Sequence, residues 1–386
     1  MASHALLSPS SAARWLACTP SARMEEMFPD RAGDAAAEGT LAHELGELLL
    51  RQAKGEITTR KYNSELKKIA ESDYYSPEMQ ELMEGYRDFV LSQWEEAKKI
   101  TPDAELLLET KLDLREWVED GFGTGDAQII ADNELHIIDL KYGKGVTVSA
   151  VDNKQMMLYA LGAIREASIF YDIYSVRMTI YQPRTDNISE FGVSMPYLLD
   201  WAEKELKPRA AMAYAGDGDL VPGDHCLFCK AKVRCRAYAE KQLEIAKYEF
   251  RPSDLLTDAE IADVLDRSAD LKNWLGKVEE YALTEAVDNG KHWPGYKLVE
   301  GRSVRMYRDQ DEVVKKLVAN GIPEAIIYER KLLGITKMEQ AITKKTFGAL
   351  LSDLIVKPQG KPTLVPASDK RPEWNSTESA IKDFSE

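Results

Sequence analysis

The chain has 386 residues, 44% hydrophobic and 30% charged, an ordinary globular balance with enough length for one large domain or two. A formal net charge of −15 excludes a protein that simply coats nucleic acid, because neutralising phosphates takes Lys and Arg, although an enzyme with a local basic groove is left open. No apolar run approaches the roughly 18 residues of a membrane span. The opening MASHALLSPSSAARWLAC has no basic segment followed by an apolar stretch, so no membrane partner and a cytoplasmic location are expected.

In chain order, residues 11–18 read as a short helix and 40–54 as a longer one with Thr40 as its N-cap. A charged loop leads to a helix over 76–99. The pattern then turns strand-like over 105–114, 123–131 and 134–142, with a helix over 151–171 and a strand over 175–182. Residues 196–215 read as helix. This order predicts an α/β fold, a mixed central sheet flanked by helices. Past residue 250 the character changes. Thr257 and Glu260 form a capping box that opens a helix ending near Gly290, a hairpin is expected over 296–308, and small helices follow. The expected organisation is a core over 1–250, a mainly helical accessory region over 251–356 and a mobile tail over 357–386.

The stretch from Gly123 to Lys141 carries the most chemistry. Asp132 and Asn133 form a turn signal between two strand-like runs. A tight symmetric loop there pairs positions that sum to 265, which sets Asp126 opposite Asp139, with Lys141 on the face of Asp139. Directly opposed aspartates have Cβ atoms roughly 4.5–5.5 Å apart and repel each other unless a cation intervenes. Oxygen ligands suit Mg²⁺ or Mn²⁺, and Lys141 could orient or deprotonate a water, or stabilise phosphate charge. Two surface aspartates and a solvated lysine are the plain alternative.

Asp126 followed by Asp139-Leu140-Lys141 after a hairpin resembles the core motif of PD-(D/E)XK nucleases, with Gly125 in place of the motif's proline. Gly39-Thr40-Leu41-Ala42-His43 is similar to the helical histidine motif of the RecB-like subset, and Gln155 to Tyr159 to its Q-x-x-x-Y motif, two residues that share a helix face. The resemblance covers roughly residues 1–240. It implies a restriction-endonuclease-like sheet and a metal site formed by His43, Asp126, Asp139 and the Leu140 carbonyl. It also makes Lys141 the catalytic lysine, with Gln155 and Tyr159 contacting DNA and supporting it. Glu109 and Glu47 read either as groups that orient ligands or as exposed charges.

The four cysteines split one plus three: Cys18 stands alone, and Cys226, Cys229 and Cys235 follow the core. In a reducing compartment clustered cysteines more often bind metal than form disulfides. The arrangement is similar to that of iron–sulfur RecB-like nucleases, including the AddB nuclease domain and CRISPR-adaptation exonucleases, which implies a [4Fe–4S] cluster on all four cysteines. Four thiolates also make a closed zinc site. Lys230, Lys232, Arg234 and Arg236 around them read as a phosphate-contacting rim or as a solvated charge run.

The resemblance implies a metal-dependent DNA nuclease, an exonuclease by its Q-x-x-x-Y motif. The layout is similar to phage and prophage proteins of replication and recombination, with a strand-annealing or single-strand-binding protein as the expected partner. A non-catalytic DNA-binding recombination factor that keeps the nuclease fold, and an enzyme acting on RNA, are the alternatives.

Overall fold

A computed structural model of the chain describes residues 5–29, 33–169, 171–245, 256–300, 307–329 and 331–356, with 365 and 369. The elements are α1 (Ala12–Ala17), α2 (Ser21–Glu25), α3 (Asp34–Ala53), α4 (Thr59–Ala70), α5 (Pro77–Ile100), β1 (Glu105–Asp113), β2 (Phe122–Ala131), β3 (Asn133–Leu140), α6 (Lys154–Ala167), β4 (Ile173–Gln182), β5 (Asn187–Ser194), α7 (Met195–Trp201), α8 (Lys207–Ala215) and α9 (Arg236–Leu243), followed by α10 (Asp258–Asp288) and short helices. The α/β class expected from sequence is the one found. Five strands form one sheet in the order β1-β2-β3-β4-β5, antiparallel except for β3 and β4, which run parallel across the α6 crossover.

The turn between β2 and β3 works as its residues suggest. Asn133 takes a left-handed conformation with φ of 72°, which Asn tolerates better than most residues. Pairs from Ala131–Glu134 to Ala127–Ile138 keep the expected register. Helix α5 begins where Ser76 accepts a hydrogen bond from the Met79 amide and Pro77 fills the first turn. Lys98 and Lys99 complement the dipole at its other end.

The sheet is covered on both faces. On one side α3 and α5 bury Ala42, Leu45, Leu49, Met79, Met83 and Tyr86 against Leu106, Leu108, Ala127, Ile129, Ile138 and Leu140. These two helices approach closely at Gly46, where a Cβ would lie 3.2 Å from the Tyr86 ring. On the other side α6, with α1 and the α7–α8 segment, packs against Leu112, Leu114, Ile130, Leu135, Ile137 and Met178.

Several local expectations change. Helix α3 starts at Asp34 and not at Thr40; Thr40 lies inside it and donates its hydroxyl to the Ala36 carbonyl. The Ala-rich run before Thr40 has the best helix propensity of any residue type and extends the helix backwards. Within the expected charged loop lies α4, capped by Thr58, whose side chain accepts from the Lys61 amide. Strand β5 was not foreseen; it is a half-exposed edge strand in which polar residues and Gly192 dilute the alternation. The helix expected over 196–215 is interrupted by a π-helical turn, Ala202–Leu206, ahead of Pro208, which has no amide hydrogen to continue the ladder.

The chain forms two compact units. One comprises Met1–Leu243 with Arg330–Thr343, the other Glu244–Glu329 with Lys344–Glu386. In the first, the later segment contributes a short helix, Ile335–Ile342, that packs on α5. In the second, α10 opens with the expected capping box, in which Thr257 accepts from the Glu260 amide and Glu260 accepts from the Thr257 amide. Of the hairpin expected over 296–308, residues 301–306 lie outside the described residues, and 296–300 form no strand. The expected mobile tail lies outside them too, apart from residues 365 and 369. Among the described residues no helix is long and apolar enough to cross a membrane.

Candidate active site

Every side chain singled out around the β2–β3 hairpin converges on one place. Just past the last ladder pair, where Asp126 faces Asp139, the Leu140 amide donates to Asp126 Oδ2 at 2.7 Å. The other Asp126 oxygen lies 3.3 Å from His43 Nδ1, brought in by α3. Asp139, buried to 2% exposure, lies with Oδ2 2.9 Å from Lys141 Nζ. Gln155 links the two halves of the motif: Oε1 accepts from Lys141 Nζ at 2.9 Å, and Nε2 donates to Asp139 Oδ1 at 3.3 Å and contacts the Tyr159 hydroxyl at 2.9 Å. The i, i+4 spacing on α6 lets Gln155 and Tyr159 act together.

Glu109 is the residue whose place the sequence did not reveal. Its carboxylate, the Asp126 carboxylate and the His43 imidazole have ligand atoms within 4.8 Å of one another. The reason lies in the backbone. Glu109 has φ of 49°, a strained value for a strand residue. Before it, even-numbered Leu106 and Leu108 face α3 and α5; after it, even-numbered Leu112 and Leu114 face α6. Strand β2 inverts at the same level. Ala127 and Ile129 face α3 and α5, yet a Cβ on Gly123 would meet Pro9 and Tyr159 on the other side. Since β strands alternate with period two, such a switch needs an irregular residue. The inversion lets Asp126 contact His43 on the α3 side while its β3 neighbour Asp139 meets Lys141 and Gln155 on the α6 side.

Electrostatics follow from this crowding. Burial by itself would lower the His43 imidazole, but the Asp126 carboxylate, by charge and hydrogen bond, and then Asp139 raise it to about 9. Burial first, then the Asp126 and Glu47 charges, pushes the Glu109 carboxyl up to about 7. Burial also raises Asp139, whereas His43, the Leu140 amide and Lys141 outweigh burial at Asp126 and hold it low. Lys141 is held in its charged form, because Asp139 outweighs the cost of burying it. Two carboxyls that the Asp126 charge helps to raise, Glu109 and Asp139, and an imidazole that gains a proton make a site short of positive charge. A divalent cation answers that deficit, and its binding would displace protons. The two carboxylate oxygens suit Mg²⁺ or Mn²⁺, and the imidazole favours Mn²⁺ of the two. Glu47 does not enter this group; it pairs with Arg51 at 2.6 Å.

Tyr86, on α5, was also missed. Its hydroxyl is buried without a hydrogen bond among the described residues, and burial followed by the Asp126, Asp139 and Glu109 charges drives its pKa well up. A lone Tyr in a 24-residue helix carries no sequence signal of this kind.

The cysteines lie elsewhere. Cys18 ends α1, while Cys226, Cys229 and Cys235 lie on the short turns before α9, and all four line one cavity together with Met24 and Tyr238. Arg209 donates to the Leu16 carbonyl, and Arg23 donates to the Tyr214 carbonyl at 2.7 Å, pinning the first helices to the end of the core. All four thiols are free, and burial pushes Cys229 up to about 12. No three of their sulfurs fall within 4.8 Å of one another. Among the basic residues there, Lys232 is buried and donates to the Leu227 carbonyl, so it does not belong to a solvent-facing rim.

A sequence-family profile described as “Protein of unknown function (DUF2800)” matches residues 4–372. The chain belongs to this family. Among solved structures, one described as “Crystal structure of SSO0001” is 18% identical, covers 57% of this chain and 95% of its own, and superposes with a TM-score of 0.23. That score is too low to bear on the function of this DUF2800 member. Its functional reading therefore rests on its own residues.

Proposed function

We propose that the protein is a metal-dependent DNA nuclease of the RecB-like PD-(D/E)XK type that hydrolyses phosphodiester bonds as an exonuclease in recombination or replication. The observation that carries this reading is the closed network in which Lys141 contacts both Asp139 and Gln155 at 2.9 Å, beside the His43, Glu109 and Asp126 cluster. His43, Glu109, Asp126 and Asp139 would hold Mg²⁺ or Mn²⁺, with the Leu140 carbonyl as the further ligand implied by the resemblance. The cation would supply charge neutralisation at the phosphate and acidify an attacking water. A water oxygen would attack phosphorus, the P–O bond to the leaving sugar would break, and the leaving oxygen would end protonated. In this scheme Lys141, kept charged by Asp139, donates to the water or to a phosphate oxygen, and Gln155 with Tyr159 fixes the direction of the ammonium.

The four cysteines are proposed to hold a [4Fe–4S] cluster that ties the start of the chain to the end of the core. What supports the reading is the one cavity that all four cysteines line, and four thiolates would also close a zinc site.

The test is to purify the protein without oxygen, record its visible spectrum and assay labelled linear DNA with Mg²⁺ or Mn²⁺. Parent protein is expected to be brown and to shorten DNA. Asp139→Ala and Lys141→Ala should abolish cleavage and keep the colour. Retained cleavage in either variant refutes the assignment, and a colourless protein that cuts moves the cysteines to zinc.

A further inference from the structure

The inversion at Glu109 leaves a bare strip of sheet next to the His43, Glu109 and Asp126 cluster. Beyond it, Leu112 and the missing side chains of Gly123 and Gly125 point toward α6 and its neighbours. Lys111, Thr124 and Phe122 therefore point the opposite way, onto the His43 side of the sheet. There α3 and α5 no longer cover the strands, and all three are exposed, Phe122 to 45%. Lys111 pairs with Thr124, and Phe122 with Asp113. At about 3.4 Å per strand residue, Lys111 lies about 7 Å from Glu109, and Phe122 about 14 Å from Asp126.

From this placement, and resting on the nuclease reading above, we propose that Lys111 and Phe122 form a short platform for the substrate strand: Lys111 binds a backbone phosphate next to the scissile one, and Phe122 stacks on an unpaired base. A large aromatic held in solvent on a strand, four residues from a metal ligand and with a cation between, matches how single strands are bound without reading their sequence. Charge supports a strand of nucleic acid as the occupant. Asp113, at the edge of β1, is neutralised by Arg115 at 2.7 Å and by Arg165 of α6 at 3.0 Å, so its charge does not offset that of Lys111 in a chain of net charge −15. The extent of the strip is limited, because Glu116, Glu119 and Asp120 follow in the β1–β2 connection and would repel a longer run of phosphates. The base over Phe122 must be unpaired, so a flush duplex cannot use the platform until its end frays.

The experiment measures anisotropy of a fluorescent single-stranded oligonucleotide and of a blunt duplex with the full-length protein, with Ca²⁺ replacing Mg²⁺, alongside cleavage in Mg²⁺. Phe122→Ala should weaken single-strand binding roughly tenfold and leave duplex binding unchanged. Phe122→Trp should preserve binding and show fluorescence quenching when the strand is added. Lys111→Ala should weaken binding and reduce the salt dependence by about one phosphate contact. If the parent cuts DNA while Phe122→Ala and Lys111→Ala bind and cut as it does, the platform is wrong and the nuclease stands. Equal losses on single strand and duplex also overturn stacking. If the parent binds single strands through Phe122 and never cuts, the nuclease reading falls and the platform stands.

Discussion

Replacing Gly162 by alanine should destabilise this protein, although alanine is the better helix former. Within a helix the exchange ordinarily gains about 0.8–1.0 kcal/mol. Gly162 lies in α6 where that helix crosses β1, and a Cβ there would stand 2.8 Å from Leu112 Cβ, 3.2 Å from Leu114 Cδ2 and 3.5 Å from Leu112 Cα. The obstacle is the root of a buried side chain and its backbone, which cannot swing aside. Overpacking of this kind costs about 1–3 kcal/mol, so the net effect is a loss of about 1 kcal/mol. The same exchange at Gly276, in α10 with no atom of the described residues within 4 Å, should stabilise its own unit by close to the full propensity term. Peptide-resolved hydrogen exchange separates the two units and measures both signs in the same assay. If the proposed nuclease reading holds, the displacement also has a catalytic consequence, because α6 carries Gln155 and Tyr159 and β1 carries Glu109. Misplacement by about 1 Å can cost as much as a hundredfold in rate. Slower exchange in the α6 peptides of Gly162→Ala, or unchanged cleavage with unchanged exchange, would refute the packing as described.

Other consequences are as direct. Glu109→Gln should lower Mn²⁺ affinity by about tenfold or more, read by titration calorimetry, because it removes one of three clustered ligand groups; unchanged affinity would remove Glu109 from the ligand set. His136 is buried beside Thr179, and burial first, then Arg177, depresses its imidazole to about 3. Below pH 6.5 the unfolded chain takes up a proton there that the folded chain refuses. That contribution is therefore intact above pH 6.5 and is lost, at about 1.4 kcal/mol per pH unit, as pH falls toward 3. His136→Leu should flatten the acid limb of a urea-midpoint against pH curve by this amount, and an unchanged limb would contradict it.

Much of the site was legible because its parts are local. The Asp132-Asn133 turn sets the register, the register sets Asp126 against Asp139, period two puts Lys141 on the face of Asp139, and the helical repeat stacks Gln155 on Tyr159. Each step needs only a few neighbouring residues. His43 was found by resemblance, because no local pattern says which helix face will meet a strand sixty residues and more away.

What packing decided was hidden for the same reason. The inversion at Glu109 depends on two cores competing for one strand: Leu106, Leu107 and Leu108 offer apolar side chains to both faces, and only the helices that cover the sheet choose between them. The buried Tyr86 hydroxyl, the exposed face of Phe122 and the cavity that gathers Cys18 with Cys226, Cys229 and Cys235 likewise exist only once distant segments meet. Sequence alone determined the turn, the periods and the order of the elements other than α4 and β5, because those are short-range properties of the backbone. The tertiary structure decided which face is buried, where an edge strand such as β5 attaches, and which charges must share one small volume, because those depend on contacts between residues far apart in the chain.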